Sequence, residues 1–487
     1  MGACTMVDIN WKPQKGLSIP LHLQIYRYMK NKIRNGDWPI GTKLPSQRAL
    51  AKQFQVNRST IVASLDELSA DGLIEARVGR GTIVINNTWN LLVTLPPPDW
   101  TSYVRSGIHA PNISLVQEIN RAEADPAIIR LGTGELSQEL LPNKMMENVL
   151  QLKINETLSL GYSEPKGSLS LRNTVSEHLK TKGIVASPES ILIVSGAIQA
   201  LQLISVGLLK SGSVIFHETP SYLNSVHVFQ SAGMRLFGVP LDEEGIMTDS
   251  IGRLKRQHNG ALLYTIPSFH NPTGMVMSQV RRKQLLEICK KEALPIIEDD
   301  VYGDLWFDSP PPKPLKSRDT QGTVLYIGSV SKSLSPGLRI GWIVGPEPVI
   351  NRLADIKMQT DYGSSSLSQY AVEQWIKSGM YEEFLNEIRA ELRYRRDVTI
   401  QLLEKYLGEL ASWNIPKGGF YIWLRLETGV STRVLFEKCL RENILINPGS
   451  IYDQTDPHHL RLSYSYASLA DLEYGLMHLS ELIRSLN

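Results

Sequence analysis

The sequence predicts an α/β protein in two parts: a winged helix-turn-helix over residues 1–86 and, beyond a linker at 87–112, a large mostly parallel sheet domain over 113–487. Three observations lead there. The first 85 residues hold two helical patterns joined by a very short turn, then two short strand-like runs around Gly79-Arg80-Gly81. From Leu131 onward, apolar strand-like runs alternate with helical stretches, the pattern of a parallel sheet covered on both faces. A chain of 487 residues also exceeds what one hydrophobic core usually supports.

Composition narrows the class further. Hydrophobic residues make up 42% and charged residues 21%, as in ordinary folded chains. Apolar runs such as Ile191–Val194 and Ala261–Tyr264 are far too short to span a bilayer, and the N-terminus lacks the apolar core of a secretion signal. A cytoplasmic protein without membrane partners is expected. Cys4, Cys289 and Cys439 are widely separated and show no metal-ligand spacing, so free thiols and no metal centre are expected. The net charge of +2 conceals an asymmetry: residues 1–85 hold 12 Lys and Arg against 6 Asp and Glu. A polyanion is the expected partner of this basic head.

Within the head, Ser18 and Pro20 mark a helix start, and Leu21, Ile25, Tyr28, Met29 and Ile33 follow at helical spacing until Gly36. Ser46 is placed to cap a short helix that turns Ala49, Leu50 and Phe54 inward. After the Val56-Asn57 turn, Asn57 can cap a third helix with Ile61, Val62, Leu65 and Leu68 on one face. Leu73–Arg77 and Thr82–Ile85 then form the strands of a wing. Leu44-Pro45-Ser46-Gln47-Arg48, Val56-Asn57-Arg58-Ser59-Thr60 and Gly79-Arg80-Gly81-Thr82 resemble the corresponding segments of the GntR family of winged helix-turn-helix regulators. The resemblance implies double-stranded DNA as partner, with Arg48, Asn57, Arg58, Ser59 and Thr60 at the major groove or backbone and Gly79 and Arg80 reaching the minor groove. Gln47 stands where many relatives carry an acid.

The linker loses periodicity. Pro96-Pro97-Pro98 gives it a stiff segment, and Trp89, Trp100 and Tyr103 are expected to pack on the body.

In the large domain, strands are expected at Ile191–Val194, Ser213–His217, Arg235–Val239, Ala261–Ile266, Leu294–Glu298, Thr323–Ile327 and Ile340–Val344, with chemistry at their carboxyl ends. Ser195-Gly196-Ala197-Ile198-Gln199 opens a helix, so the free amides of Ala197 and Ile198 suit a phosphate. The stretch Ser329-Val-Ser-Lys-Ser-Leu-Ser-Pro-Gly-Leu-Arg339 combines an amine, hydroxyls and a guanidinium. Lys332 can form a Schiff base with an aldehyde cofactor, while Ser329, Ser331 and Arg339 hold its phosphate.

That stretch resembles the lysine motif of fold-type I aminotransferases, enzymes that use pyridoxal 5′-phosphate (PLP), and the likeness extends over residues 113–487. It implies a large mostly parallel sheet with a smaller C-terminal α/β subdomain. Glu218-Thr-Pro-Ser-Tyr222 then places Tyr222 over the cofactor ring, and His270-Asn-Pro-Thr-Gly274 places Asn271 at its phenolic oxygen, with Asn271–Pro272 a candidate cis bond. Asp299, in Glu298-Asp-Asp-Val-Tyr302, is implied beneath the ring nitrogen, with Tyr302 beside Asn271. Lys332 and Asp299 are the implied catalytic pair. Gly161-Tyr162-Ser163 resembles the segment whose tyrosine reaches a neighbouring subunit's phosphate, which implies a homodimer. Arg461, in His459-Leu-Arg-Leu-Ser463, is implied to bind an α-carboxylate.

A GntR-type head on such a body resembles the MocR/GabR family of transcription regulators. The expected function is PLP-dependent control of a promoter in response to an amino acid, an amine or PLP itself. The alternative is a working aminotransferase with an accessory DNA-binding domain, since the residues for turnover are all present.

Overall fold

Apolar residues four apart build the first helix, α1 (Leu21–Arg34), which buries Ile25, Met29 and Ile33. The computed structural model describes residues 7, 9, 11–77, 81–86, 100–107, 111–151 and 161–486. Pro20, not Ser18, occupies the position before α1 and makes no side-chain cap; a proline there loses nothing, because the first N–H groups of a helix have no partner anyway. Helix α2 (Gln47–Phe54) is capped by Ser46, whose Oγ accepts from the Ala49 amide at 3.3 Å. Leu50 and Phe54 are buried as expected, but Ala49 is exposed. Gln55 turns the chain through a left-handed conformation into α3 (Arg58–Ala70). Asn57 precedes that helix without a side-chain cap. Ser64, buried midway along α3, donates to the carbonyls of Thr60 and His22 and so ties α3 to α1. Strands β1 (Ile74–Arg77) and β2 (Gly81–Val84) pair antiparallel as the wing, and its tip, with Gly79 and Arg80, lies outside the described residues.

The chain divides into two compact units, Met1–Gly107 and Ile108–Asn487. The linker is not wholly irregular: Trp100–Ser106 forms a short helix, α4. In it the rings of Trp100 and Tyr103 lie 5.6 Å apart and are 70% and 64% exposed. Trp89 and the Pro96-Pro97-Pro98 run lie outside the described residues.

The second unit begins with α5 (Ser114–Ala122), a short strand β3 (Ile129–Arg130), α6 (Asn143–Gln151) and α7 (Leu169–Thr181). Its main sheet comprises β4 (Ile191–Val194), β5 (Val214–Thr219), β6 (Arg235–Asp242), β7 (Gly245–Ile246), β8 (Gly260–Thr265), β9 (Ile296–Asp299), β10 (Val324–Ser329) and β11 (Gly341–Val344). The spatial order is β4-β11-β10-β9-β8-β5-β6-β7. The five strands from β10 to β6 run parallel, whereas β11 is antiparallel to both neighbours and β7 to β6. Every residue of β4, β9, β10 and β11 is buried, as a sheet covered on both faces requires.

A smaller antiparallel sheet follows, built from β12 (Ala411–Trp413), β13 (Tyr421–Leu426), β15 (Asn447–Pro448) and β16 (His459–Ser463), in the order β12-β13-β16-β15. Strand β14 (Ile444–Leu445) pairs instead with β3, which ties the start of this unit to its C-terminal part. Cys289 and Cys439 are free and buried, and burial pushes both thiols up to about 12. No described helix is long and apolar enough to cross a membrane.

Candidate functional site

Because β5, β8, β9 and β10 are parallel neighbours, their carboxyl ends lie along one edge, and the chain leaving each carries a polar residue. Tyr222 follows β5, Asn271 follows β8, Asp299 ends β9 and Lys332 follows β10. All four line one cavity of about 360 Å³. Ala197, Ile198, Ser329, Ser331, Arg339, Tyr302 and Arg461 line it too, so every expected cofactor and carboxylate residue except Tyr162 meets there.

At one end, Gly196 precedes the helix α8 (Ala197–Leu208) with φ +88°. A Cβ at that position would sit 2.6 Å from an Arg339 nitrogen, so only glycine lets the guanidinium approach the helix N-terminus. Arg339 donates to the Ser195 carbonyl at 2.7 Å. Ser329 Oγ donates to Ser331 Oγ and to the Ile340 carbonyl, both at 3.0 Å, which closes the loop that carries Lys332. Two free helix amides, two hydroxyls and a guanidinium therefore converge on an anion-sized space.

Asp299 is 2% exposed. Its Oδ2 accepts from the Tyr264 hydroxyl at 2.8 Å, while Oδ1 is buried and meets no well-formed hydrogen bond among the described residues, although the Val301 amide helps to hold the carboxylate. Burial pushes this carboxyl up to about 6, against the pull of the Tyr264 hydrogen bond. Lys332 Nζ donates to the Gly134 carbonyl at 2.5 Å. Tyr302 and Tyr421 share a hydroxyl contact at 2.9 Å, and burial raises the Tyr302 phenol well above its usual range. Tyr222 is raised as well, by the same cause.

Arg461 comes from β16 of the smaller sheet. It donates to Asn271 Oδ1 at 2.9 Å and to the Gly132 carbonyl at 2.7 Å, and its guanidinium lies 4.2 Å and 4.9 Å from the ring centres of Tyr421 and Tyr452. The backbone at Gly132 and Gly134 runs so close that a Cβ would overlap Asn447 and the Tyr421 hydroxyl respectively. Asn271–Pro272 is cis, and so is Thr219–Pro220, which the sequence did not suggest.

Several lining residues escaped the sequence: Tyr421, Asn447, Tyr452 and Glu123. So did Tyr264, which reads as one more apolar position in a strand. The Leu131-Gly-Thr-Gly134 run after β3 was the one available signal for a close backbone approach.

Tyr162 lies elsewhere. It is 85% exposed and packs its ring 4.8 Å from that of Tyr362. In the N-terminal unit, Arg48, Asn57, Arg58 and Ser59 are exposed at the starts of α2 and α3, with Thr60 half-buried. Arg58 donates from Nε and from a terminal nitrogen to Gln47 Oε1 at 3.1 and 2.9 Å. A neutral acceptor orients the guanidinium and leaves its charge whole.

Two families match the chain. Residues 126–479 match Aminotransferase class I and II, and residues 21–84 match the bacterial regulatory proteins of the gntR family. The HTH-type transcriptional regulator YisV of Bacillus subtilis (strain 168) is 56% identical over 476 residues, 98% of each chain. NorG of Staphylococcus aureus, also an HTH-type transcriptional regulator, is 36% identical over 89% of this chain and 98% of its own. Among solved structures, a kynurenine aminotransferase of Pyrococcus horikoshii in complex with PMP matches with TM-score 0.73 and 30% identity, covering 77% of this chain and 95% of that one. LysN, an alpha-aminoadipate aminotransferase of Thermus thermophilus complexed with N-(5′-phosphopyridoxyl)-L-leucine, matches with TM-score 0.72 and 29% identity over 80% and 99%. With a GntR helix-turn-helix that implies DNA binding ahead of a fold-type I aminotransferase body, the chain belongs to the HTH-type transcriptional regulators of the MocR type.

Proposed function

We propose that this regulator binds promoter DNA as a homodimer, holds PLP on Lys332, and changes its grip on DNA when an amino acid or amine engages that site. The observation that carries this reading is the buried Asp299 Oδ1, a carboxylate oxygen without a well-formed hydrogen bond among the described residues, in a cavity that also holds a lysine amine and an anion-shaped cradle. An uncompensated buried acceptor is costly. A cationic ring nitrogen would satisfy it.

When bound, PLP supplies an aldehyde that captures primary amines reversibly and a ring that withdraws electrons. On this reading the residues of this chain take the following roles. Arg339, Ser329, Ser331 and the amides of Ala197 and Ile198 would hold the cofactor's phosphate, and Tyr222, Asn271 and Tyr302 would hold its ring. Asp299 would hold a proton at the ring nitrogen, Lys332 Nζ would serve as the amine and proton carrier, and Arg461 would pair with an α-carboxylate. Tyr162, exposed and outside its own cavity, is free to serve that of a second subunit. Arg48, Asn57, Arg58, Ser59 and Thr60 meet DNA, with the wing residues Gly79 and Arg80 beside them.

The same constellation suits turnover, and aminotransferases such as LysN share the fold at 29% identity. Steady-state conversion of an amino acid and a keto acid, measured beside promoter occupancy in one preparation, separates the two readings. The primary test is borohydride reduction of the PLP-treated protein followed by mass analysis. Wild type gains the reduced cofactor's mass and Lys332→Ala does not; equal adducts on both refute the assignment.

A further inference from the structure

A cluster of charged groups lies outside the cavity lining, and the roles proposed above leave it without a task. Lys182, just past the end of α7, is half-buried, and its Nζ lies 2.9 Å from Asp304 and 3.3 Å from the buried Asp300. Asp300 directly follows Asp299 at the end of β9 and also accepts from the Tyr326 hydroxyl of β10 at 2.8 Å. Asp304 accepts from the Tyr381 hydroxyl at 3.2 Å. Tyr381, in the first turn of the long helix Met380–Leu407, shares a hydroxyl contact at 2.7 Å with Ser333, the buried residue after Lys332. One ammonium is therefore joined to a neighbour of Asp299 directly and to a neighbour of Lys332 through Asp304 and Tyr381.

The charges of the cluster are balanced on Lys182. Burial opposes it, yet the two carboxylates raise the Lys182 ammonium above its usual range, and against the same burial the Lys182 charge holds Asp304 below its own. Burial lowers neighbouring His178, which is neutral as a result, and raises the phenols of Tyr326 and Tyr381. Arg389 donates to the Asp304 backbone carbonyl at 2.8 Å and lies 4.0 Å from Glu382. The cluster's charge is felt in the cavity: burial first, and the negative charge of Asp300 after it, push the Asp299 carboxyl up. Because a buried ion pair adds little net stability over apolar packing of the same volume, cohesion alone is weak ground for placing these charges against both segments of the site.

We infer that Lys182 is a positioning residue of the cofactor site. Through Asp300 it fixes the end of β9 that presents Asp299, and through Asp304, Tyr381 and Ser333 it fixes the turn that presents Lys332. Its charge also offsets two carboxylates that would otherwise repel an anionic cofactor. This rests on the PLP reading above and adds to it a residue that touches no ligand.

The test follows the capture of PLP by full-length, cofactor-free protein near neutral pH, read by stopped-flow absorbance and corrected for the folded fraction from circular dichroism. Capture joins the Lys332 amine to the cofactor's aldehyde carbon with loss of water. Lys182→Met is expected to slow capture about tenfold, the low end of what a local field does to the association of a charged ligand. Lys182→Arg keeps the charge and is expected to stay within about twofold of wild type. Asp304→Asn separates charge from mere structure: removing a negative charge is expected to make capture several-fold faster, whereas damage to the fold would slow it. The double variant Lys182→Met/Asp304→Asn restores the wild-type charge balance and is expected near the wild-type rate, which keeps the comparison open if Lys182→Met alone does not fold. Capture by Asp304→Asn at or below the wild-type rate, or by Lys182→Met at the wild-type rate, overturns the role of Lys182 alone. Wild-type protein that captures no PLP, or a Lys332→Ala variant that captures it equally, overturns the PLP reading and this role with it.

Discussion

Replacing Tyr264 with Phe removes one hydroxyl, and its cost is expected to depend on pH. That hydroxyl donates to Asp299 Oδ2 at 2.8 Å, with both side chains buried. A hydrogen bond to a carboxylate stabilises by about 1.5–3 kcal/mol and one to a neutral acceptor by about 0.5–1.5 kcal/mol. The difference of roughly 1–1.5 kcal/mol corresponds to about one pH unit. Asp299, already pushed up to about 6 by burial, should therefore rise by about one further unit in the variant. The sign follows from proton binding. A carboxyl whose folded-state pKa lies above its unfolded value of about 3.9 keeps its proton longer when folded, so it destabilises the fold increasingly as pH rises through that window. Below it, the effect vanishes. Urea denaturation of the cofactor-free protein should thus give a Tyr264→Phe deficit of about 0.5–1.5 kcal/mol at pH 5 and about 1.5–3 kcal/mol at pH 8. Glu298, also pushed up by burial, to about 7, is present in both proteins and cancels in the comparison. A deficit that stays constant from pH 5 to pH 8 would show that Asp299 does not ionise in this window or does not depend on Tyr264.

Two further expectations rest on other parts of the molecule. Arg58→Ala should weaken promoter binding and reduce the slope of log affinity against log salt by about one, as for the loss of one phosphate contact; an unchanged slope in a salt series would remove Arg58 from the backbone contacts, and Gln47→Glu should shift affinity the same way by tying up the guanidinium. Lys182→Met should destabilise the protein by about 3 kcal/mol, because Lys182 Nζ lies 2.9 Å from Asp304 and 3.3 Å from Asp300, and its loss leaves these carboxylates, one buried and one partly buried, with only the Tyr326 and Tyr381 hydroxyls and the more distant Arg389 to offset them. Denaturation midpoints within experimental error of wild type would contradict this.

What the sequence reveals about this fold follows from where polarity interrupts apolar runs. Asp299 and Lys332 were legible because each breaks or directly follows a buried strand, and a charge there needs a reason. The head was legible because its helices are short, amphipathic and separated by turn residues. Antiparallel β11 was harder to foresee: eleven residues, Val330–Ile340, join it to β10, so no tight-turn pattern marks the hairpin. Tyr264 was invisible for another reason, since a tyrosine within Ala-Leu-Leu-Tyr-Thr reads as packing and only the neighbouring strand supplies Asp299. Glu123, Asn447 and Tyr452 are brought to the cavity by packing of elements far apart in the chain, and local spacing carries no record of that.

The origin of the lining residues also bears on how a ligand could be felt at a distance. Asn271, Asp299 and Lys332 stand on the main sheet, whereas Arg461, Tyr421 and Asn447 belong to the smaller one, and Glu123 follows α5. The two sheets are joined around the cavity by polar bonds that include Arg461 to Asn271, Tyr302 to Tyr421 and Asn224 to the Tyr452 carbonyl. An amino acid held at Lys332's site and at Arg461 would span both layers, so its binding free energy would depend on their spacing in a way that a cofactor held by Asn271, Asp299, Lys332 and Arg339 would not. Only such a difference between two arrangements lets a ligand shift an equilibrium. The cofactor alone is therefore expected to order one layer, and the amino acid to set the relation between the two.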